Sequence, residues 1–198
     1  GEINATLARA AERHGLAMGL GSQRAALQQP ELAATYAVAR ERAPSAFLIA
    51  NLGAAQLIAQ PGRRALSRDD VRRAVEMVRA DALAVHLNFL EESIQPEGDR
   101  RSRGCAAAIA SLVASLDVPV IAKETGAGIA GPTALRLAEL GVAALDVGGS
   151  GGTNFASIER RRAVLRGDER GEALGETLHD WGIPTAASVA CAAPAGLP

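Results

Sequence analysis

The feature that most constrains the fold is a short apolar run that ends abruptly in polar residues, a transition that occurs four times. The clearest run covers residues 82–85 and leads directly into the polar segment of His86, Asn88, Glu91 and Glu92. At the other three runs the polar residues are Asn51, Lys123 and Asp146. Short apolar runs alternating with helix-like segments predict a parallel sheet with right-handed crossovers. We expect the polar residues to form one shared site, because parallel strands end at the same edge.

Helix and strand boundaries follow from hydrophobic periodicity, capping residues and breakers. Helices are predicted over 3–14, 28–42, 67–80, 104–116, 132–140 and 184–193. Strands are predicted over 16–20, 47–50, 82–85, 118–122 and 142–145. Gly15 is the expected C-cap of the first helix and Ser67 the N-cap of the third. Residues 86–99 are expected to form a charged loop, and 159–172 a solvated helix or loop.

Two α/β architectures fit this order of elements: a doubly wound open sheet and a (β/α)8 TIM barrel. The sequence has no Gly-x-Gly-x-x-Gly motif after a first strand, as a Rossmann unit would have. Polar residues follow every predicted strand, whereas a doubly wound sheet places its site at one switch point, and this favours the barrel. Only about five strands are convincing, whereas a closed barrel has eight. We therefore expect residues 1–198 to be one domain forming the central part of a barrel in a longer protein.

The amino-acid composition argues against several structural and functional classes of protein. The chain is 48% hydrophobic with a net charge of −1 and 3% aromatic residues, which argues against disorder, nucleic-acid partners and stacking platforms. No apolar run reaches the roughly 18 residues of a membrane span. Cys105 and Cys191 lack metal spacing and are expected to be free thiols in a reducing cytoplasm. The three histidines lie far apart, which argues against a polyhistidine metal site.

Two strand-end features suit an anionic ligand. The loop 148–153 has glycine at four of six positions, so that backbone amides can approach an oxyanion or a flat ring; the alternative is a flexible turn. Lys123 is a candidate base, a Schiff-base amine or a cation beside an anionic ligand. Its alternative is a salt bridge with Glu124.

Two further segments suit a metal-bound phosphate. Four carboxylates lie within nine positions, at Glu91, Glu92, Glu97 and Asp99, and hard oxygen ligands of this kind suit Mg²⁺. The alternative is a solvated acidic loop balanced by nearby arginines. The segment 22–24, Ser-Gln-Arg, presents a hydroxyl, an amide and a guanidinium suited to phosphate, or simply an ordinary surface arginine.

With these residues in view, the chain resembles the type 2 isopentenyl diphosphate isomerases, which are flavin-dependent. The matching segments, in chain order, are 16–24, 51–54, 86–88, 95–99, 123–124, 151–153, 158–162 and 181–185. The resemblance implies a flavin-binding (β/α)8 barrel, of which this chain covers the central part. It also implies a cytoplasmic homo-oligomer that uses FMN, Mg²⁺ and NADPH to convert isopentenyl diphosphate into dimethylallyl diphosphate.

The resemblance also assigns roles to individual residues. The expected FMN contacts are Ser22, Asn51, Lys123, Gly148 and Thr153. The expected diphosphate and substrate contacts are Ser22, Gln23, Arg24, His86, Asn88 and Glu91. Glu92 would hold Mg²⁺, and Glu91 and His86 would be the catalytic residues.

Two departures from the family keep other functions open. Glu91 stands where the family usually has glutamine, and Gly148 where it usually has serine. A carboxylate at position 91 would alter proton transfer, add a metal ligand or abolish isomerisation, and Gly148 would remove one flavin contact. The alternatives are another FMN-dependent barrel oxidoreductase and a catalytically degenerate relative.

Overall fold

The structure, a computed structural model, describes residues 1–198 and contains one sheet of five parallel strands. The strands are β1 (Met18–Gly19), β2 (Leu48–Gly53), β3 (Ala82–His86), β4 (Val120–Lys123) and β5 (Ala144–Asp146). They lie side by side in chain order and curl into a half-barrel. A doubly wound sheet reverses its strand order at a switch point, and no reversal occurs here. The predicted α/β class and parallel sheet are confirmed; closure into an eight-stranded barrel stays a prediction.

Ten α-helices connect and flank the strands. They are α1 (Glu2–His14), α2 (Arg24–Gln28), α3 (Ala33–Arg42), α4 (Arg68–Met77), α5 (Phe89–Ile94), α6 (Cys105–Val113), α7 (Gly131–Glu139), α8 (Phe155–Arg166), α9 (Glu169–Leu178) and α10 (Thr185–Ala192). Short 3-10 turns cover Pro30–Leu32, Ala54–Leu57 and Ala193–Ala195. None of the helices has both the length and the apolar character needed to cross a bilayer.

The two predicted helix caps are confirmed. Gly15 has a φ of 62°, and its N–H bonds the carbonyls at the end of α1. Ser67 Oγ accepts the Asp70 N–H at 3.1 Å, and the Asp70 carboxylate accepts the Ser67 N–H at 2.8 Å. This reciprocal pair is a capping box, and it fixes where α4 begins.

The predicted helix over 28–42 is wrong in its first third. The structure has α2 ending at Gln28, a 3-10 turn at Pro30–Leu32, and α3 beginning at Ala33. Pro30 has no N–H to donate and disfavours helical backbone at Gln29. Helix α2 therefore stops, and the segment that carries Arg24 is separate from α3.

Two predictions about polar segments need correction. The segment after β3 is not only a loop, because it contains α5, in which Leu90 and Ile94 are four residues apart on one face and Ile94 is buried. Residues 159–172 form parts of α8 and α9, separated at Gly167, which has a φ of 68°. The buried Glu159 shows that this segment is not solvated throughout.

The core packs around β2 and β3. Leu48 and Leu52 of β2 are fully buried, as are Leu83 and Val85 of β3, and helix residues such as Val71 pack against them. Burial of β3 stops at His86, its last residue. The apolar layer therefore ends where the polar strand ends begin.

Candidate functional site at the carboxyl ends of the strands

Strand register brings the polar strand ends to the same level. His86 lies opposite Gly53 of β2 on one side and opposite Lys123 of β4 on the other. Lys123 in turn lies opposite Asp146 of β5. The prediction that these residues share one edge of the sheet is confirmed, although they are strand residues rather than the loop residues that follow.

His86 is held by a hydrogen-bond chain that starts at Leu20, the residue after β1. Leu20 O accepts from Asn51 Nδ2 at 2.8 Å, and Asn51 Oδ1 lies 2.8 Å from His86 Nδ1. Because Asn51 Oδ1 is an acceptor, His86 Nδ1 carries the proton and Nε2 has the free lone pair. Burial, reinforced by the charge of Lys123, lowers the pKa of His86 to about 4. The imidazole is therefore neutral near pH 7.

In the turn 22–24, the side chains of Ser22 and Gln23 differ in their hydrogen bonding. Gln23 is fully buried; its Oε1 accepts the Asn51 N–H at 3.0 Å and its Nε2 donates to Ala74 O at 2.8 Å. The Gln23 amide is thus used inside the protein, and the expected contact of Gln23 with a diphosphate stays a prediction that its side chain does not support. Ser22 differs, since its buried Oγ has no hydrogen-bond partner within the protein.

Glu92 is buried and anchored by two donors. Asn88 Nδ2 donates to its Oε1 at 3.0 Å, and the Asp99 N–H donates to its Oε2 at 2.6 Å. Nowhere in the chain do three or more histidine, cysteine, aspartate or glutamate side chains converge as a metal cluster. A cation at Glu92 would therefore take its remaining ligands from substrate oxygens and water.

Asp99 joins the Glu92 loop to the phosphate turn. Its carboxylate is almost completely buried, with Arg24 Nη1 3.0 Å from Oδ2 and Arg63 Nη1 2.8 Å from Oδ1. Asp99 thus connects Arg24 to Glu92, and Glu92 in turn binds Asn88. Arg63 was not foreseen from the sequence, because it lies outside every recognisable motif.

Glu91 belongs to a different group of side chains, formed with α8. Gln95 Nε2 donates to Glu91 Oε1 and to Glu159 Oε1, both at 3.1 Å. Arg162 Nη1 pairs with Glu159 Oε1 at 2.6 Å, whereas Glu159 Oε2 accepts no hydrogen bond. Burial, and then the charge of Glu159, raise the pKa of Glu91. Glu159 was missed as a site residue, although the matching segment 158–162 contained the signal.

Lys123 does not form the salt bridge with Glu124 that the sequence left open. Its Nζ lies 3.1 Å from Asp146 Oδ2 and donates to the Glu124 carbonyl. The Glu124 carboxylate instead accepts the N–H groups of the next three residues, 125–127, at 2.7, 2.9 and 2.7 Å. Burial raises its pKa, and these bonds oppose the rise. Glu124 therefore shapes the turn after β4.

The glycine-rich loop is tethered rather than free. Ser150 N–H donates to Ile183 O at 2.9 Å, and Thr185 N–H donates to Ser150 O at 3.1 Å. Gly148 has a φ of 42°, and a β-carbon there would lie 2.3 Å from Glu124 O. Thr153, at the far end of the loop, is exposed. The structure thus disfavours the flexible-turn interpretation and requires glycine at position 148.

A large cavity of about 970 Å³ lies between α6, α7 and the segments that follow β3 and β4. Its lining is mostly apolar and includes Ile109, Leu137 and Trp181. None of the predicted site residues lines it; Leu87 and Glu124, the residues that directly follow β3 and β4, bring it next to the strand ends. The candidate site is therefore the open edge of the sheet and not this cavity.

Comparison with known proteins identifies the chain's relatives. It is 54% identical over 187 residues to the isopentenyl-diphosphate delta-isomerase of Methanothermobacter thermautotrophicus, covering 94% of this chain and 49% of that protein. The enzymes of the same name from Methanoregula boonei and Halobacterium salinarum are each 52% identical, over 200 and 189 residues. The resemblance to isopentenyl-diphosphate delta-isomerases is confirmed.

The match to these isomerases covers nearly all of this chain but only about half of each relative. It covers 100% of this chain and 54% of the Methanoregula protein, and 94% and 51% in the Halobacterium comparison. The chain thus spans about half the length of the curated relatives it matches. No family model matches it.

The residues that the isomerase resemblance singles out fall into three connected groups. The first is the His86–Asn51 chain with Lys123 beside it. The second links Arg24 to Glu92 through Asp99. The third contains Glu91 and its Gln95 bridge to α8. Together they bring the cations of Lys123 and Arg24, the carboxylates of Glu91, Glu92 and Asp99, and the neutral imidazole of His86 to one edge of the sheet.

Proposed function

We propose that this protein is a type 2, FMN-dependent isopentenyl-diphosphate delta-isomerase of isoprenoid biosynthesis. The observation that supports this best is the network joining Arg24, Asp99 and Glu92 beside the strand end of His86. A guanidinium and a carboxylate held by the same residue suit a diphosphate with a bound divalent cation. The names of the relatives supply the reaction.

Glu92 fits the role of a Mg²⁺ ligand. Each of its oxygens accepts one hydrogen bond within the protein, and a carboxylate oxygen has a second lone pair free. Mg²⁺ is commonly held by one or two carboxylates plus substrate phosphates and water. Glu92 would therefore anchor the cation, and the diphosphate would complete its coordination.

The strand ends also fit a flavin. Ser22 Oγ is buried without a partner, Lys123 supplies a cation at the end of β4, and the loop that begins at Gly148 is tethered in place. A bound FMN, kept reduced by NADPH, would supply the acid–base group of the isomerisation. Asn51 would contribute by fixing His86, because both atoms of its amide are already engaged.

The chain's own residues have distinct tasks in this proposal. Arg24 would bind a phosphate oxygen. His86 is neutral in this structure, and an arriving diphosphate would raise its pKa because negative charge favours the imidazolium form. Imidazolium Nε2 would then donate to the diphosphate. Glu91, half-buried and bonded by Gln95, would face the isoprenoid carbons between which the proton moves.

The sequential strand order supports a further part of the proposal. Five parallel strands in the order β1 to β5 match consecutive strands of a (β/α)8 barrel, which has eight. We infer that the sheet continues into such a barrel, with the site at its C-terminal face.

Activity of the protein with its natural termini tests the function directly. The protein would be incubated with FMN, NADPH, Mg²⁺ and isopentenyl diphosphate, and dimethylallyl diphosphate and NADPH would both be followed. The proposal expects product without stoichiometric NADPH oxidation, and loss of product on chelation of Mg²⁺. Flavin reduction by a 2-hydroxy acid without isomerisation would instead indicate an oxidoreductase. Failure to bind FMN would indicate a degenerate relative.

A further inference from the structure

The proposed reaction assigns no role to Arg63. It lies between the 3-10 turn after β2 and the start of α4, and its Nη1 binds Asp99 Oδ1 at 2.8 Å. The opposite oxygen of Asp99 binds Arg24 at 3.0 Å. The two arginines are 39 positions apart in the sequence and share one buried carboxylate.

The Asp99 charge would oppose diphosphate binding if it were not neutralised. Asp99 is 4% exposed, so its charge is poorly screened by water. With Arg24 as its only partner, Asp99 would compete with the phosphate oxygens for the same guanidinium. It would also repel the diphosphate, because like charges at short range in a buried setting are unfavourable.

We propose that Arg63 is a positioning residue for the diphosphate: it neutralises Asp99 and so leaves the charge of Arg24 available to the phosphate oxygens. This inference rests on the proposed function of the same site. Arg24 uses only Nη1 on Asp99, so the rest of its fork is free to bind phosphate. Arg63, 41% exposed at its side chain, also donates from Nη2 to the Glu97 carbonyl at 3.3 Å. It reaches the predicted diphosphate ligands only through the Asp99 carboxylate.

A nearby arginine provides a matched control. Arg101 lines the same surface cavity as Arg63, of about 310 Å³. Its backbone bonds Gln60, but its guanidinium forms no ion pair with Asp99. Removing the charge of Arg101 therefore takes one positive charge from the same cavity without removing an ion pair of Asp99.

The test compares Arg63→Gln with Arg101→Gln in the protein with its natural termini. Two quantities would be measured in the presence of Mg²⁺: the affinity for inorganic pyrophosphate and, separately, kcat and KM for isopentenyl diphosphate. We expect Arg63→Gln to weaken pyrophosphate binding and raise KM about tenfold, with kcat changed less than about twofold. Arg101→Gln is expected to change both affinities less than about twofold.

Two double variants separate this role from a purely structural one. In an Arg24→Gln background, Arg63→Gln is expected to have a smaller effect than in the wild-type protein, because the guanidinium that it liberates is gone and only the repulsion by Asp99 remains. In an Asp99→Asn background, Arg63→Gln is also expected to have little effect, because no carboxylate needs neutralising. A structural role of Arg63 that is independent of Asp99 would give additive losses in both backgrounds, and a structural role exerted through Asp99 would still give additive losses in the Arg24→Gln background.

Each outcome of these measurements either supports or overturns the role of Arg63. Equal effects of Arg63→Gln and Arg101→Gln, or full additivity with Arg24→Gln, would overturn the role of Arg63. If Arg63→Gln lowers the unfolding temperature, Arg63→Lys keeps the charge, and its failure to restore pyrophosphate affinity would also overturn it. If the wild-type protein does not isomerise, the proposed function fails, while the pyrophosphate comparison still decides the role of Arg63.

Discussion

The N–H of Asp99 donates to Glu92 Oε2 at 2.6 Å, across seven residues of sequence. This bond closes the segment between them into a compact turn that begins in α5. Because Asp99 also binds Arg24, the position of the expected cation ligand depends on the same residue as the expected phosphate ligand. Changes that open this turn should therefore affect Mg²⁺ and diphosphate binding together.

Gly98→Ala should open the turn. A β-carbon at position 98 would lie 1.8 Å from the Glu92 carbonyl oxygen, so the backbone must shift and the bond from Asp99 N–H must lengthen. We expect a loss of about 2 kcal/mol in the free energy of unfolding and a higher Mg²⁺ requirement for activity. Gly152→Ala is the control for stability, since a β-carbon there meets no atom within 4 Å. Equal denaturant midpoints for the two variants would contradict the prediction.

Gly148→Ser, which restores the residue usual in the family, should be unfavourable in this chain. The β-carbon would approach Glu124 O to 2.3 Å, and the backbone φ of 42° is strained for an L-residue. We expect a lower unfolding temperature and no gain in FMN affinity, measured by quenching of flavin fluorescence. Tighter FMN binding with unchanged stability would show that the loop after β5 relaxes around the serine.

His86 should make the folded state sensitive to acid. Its pKa is about 4 in the folded protein against 6.5 as the ordinary value, so the unfolded chain binds more protons between these values. The contribution is present above about pH 6.5, is lost as pH falls to about 4, and amounts to about 3 kcal/mol. His86→Asn should flatten the unfolding free energy between pH 6.5 and 4 in denaturant titrations. Parallel pH profiles for the two proteins would exclude this origin.

Glu91→Gln, which restores the family glutamine, should stabilise the protein. Burial and the charge of Glu159 raise the pKa of Glu91 above 4.5, so ionised Glu91 is less favourable in the folded state than in the unfolded state. The penalty is absent at low pH and grows as pH rises through the range above 4.5. The neutral variant should therefore gain stability over wild type by pH 7, measured by urea unfolding, and the gain should vanish near pH 4.

Local signals in the sequence were sufficient for much of the fold. The capping box at Ser67, the C-cap at Gly15 and the polar ends of the strands each depend on residues within a few positions of one another. Parallel register then aligned His86 with Lys123 and Lys123 with Asp146, as the common edge required. The caps follow from residue preferences at helix ends, and the strand ends follow from the change from apolar to polar residues.

Contacts over long sequence distances escaped prediction. Nothing near Gln23 indicates that its amide reaches Ala74, 51 residues away, and nothing near Arg63 points to Asp99, 36 residues away. Pairings of this kind depend on how the elements pack in three dimensions. The resemblance supplied several site residues, but it could not tell a ligand contact from a buried structural amide such as Gln23.

The buried amide of Gln23 has a mechanical consequence. It ties the backbone of α4 at Ala74 to the backbone of β2 at Asn51, and Asn51 in turn orients the imidazole of His86. A continuous set of hydrogen bonds therefore links helix α4 to the imidazole of His86. A partner or a substitution that displaces α4 would therefore change the orientation of the His86 ring without contacting the sheet edge.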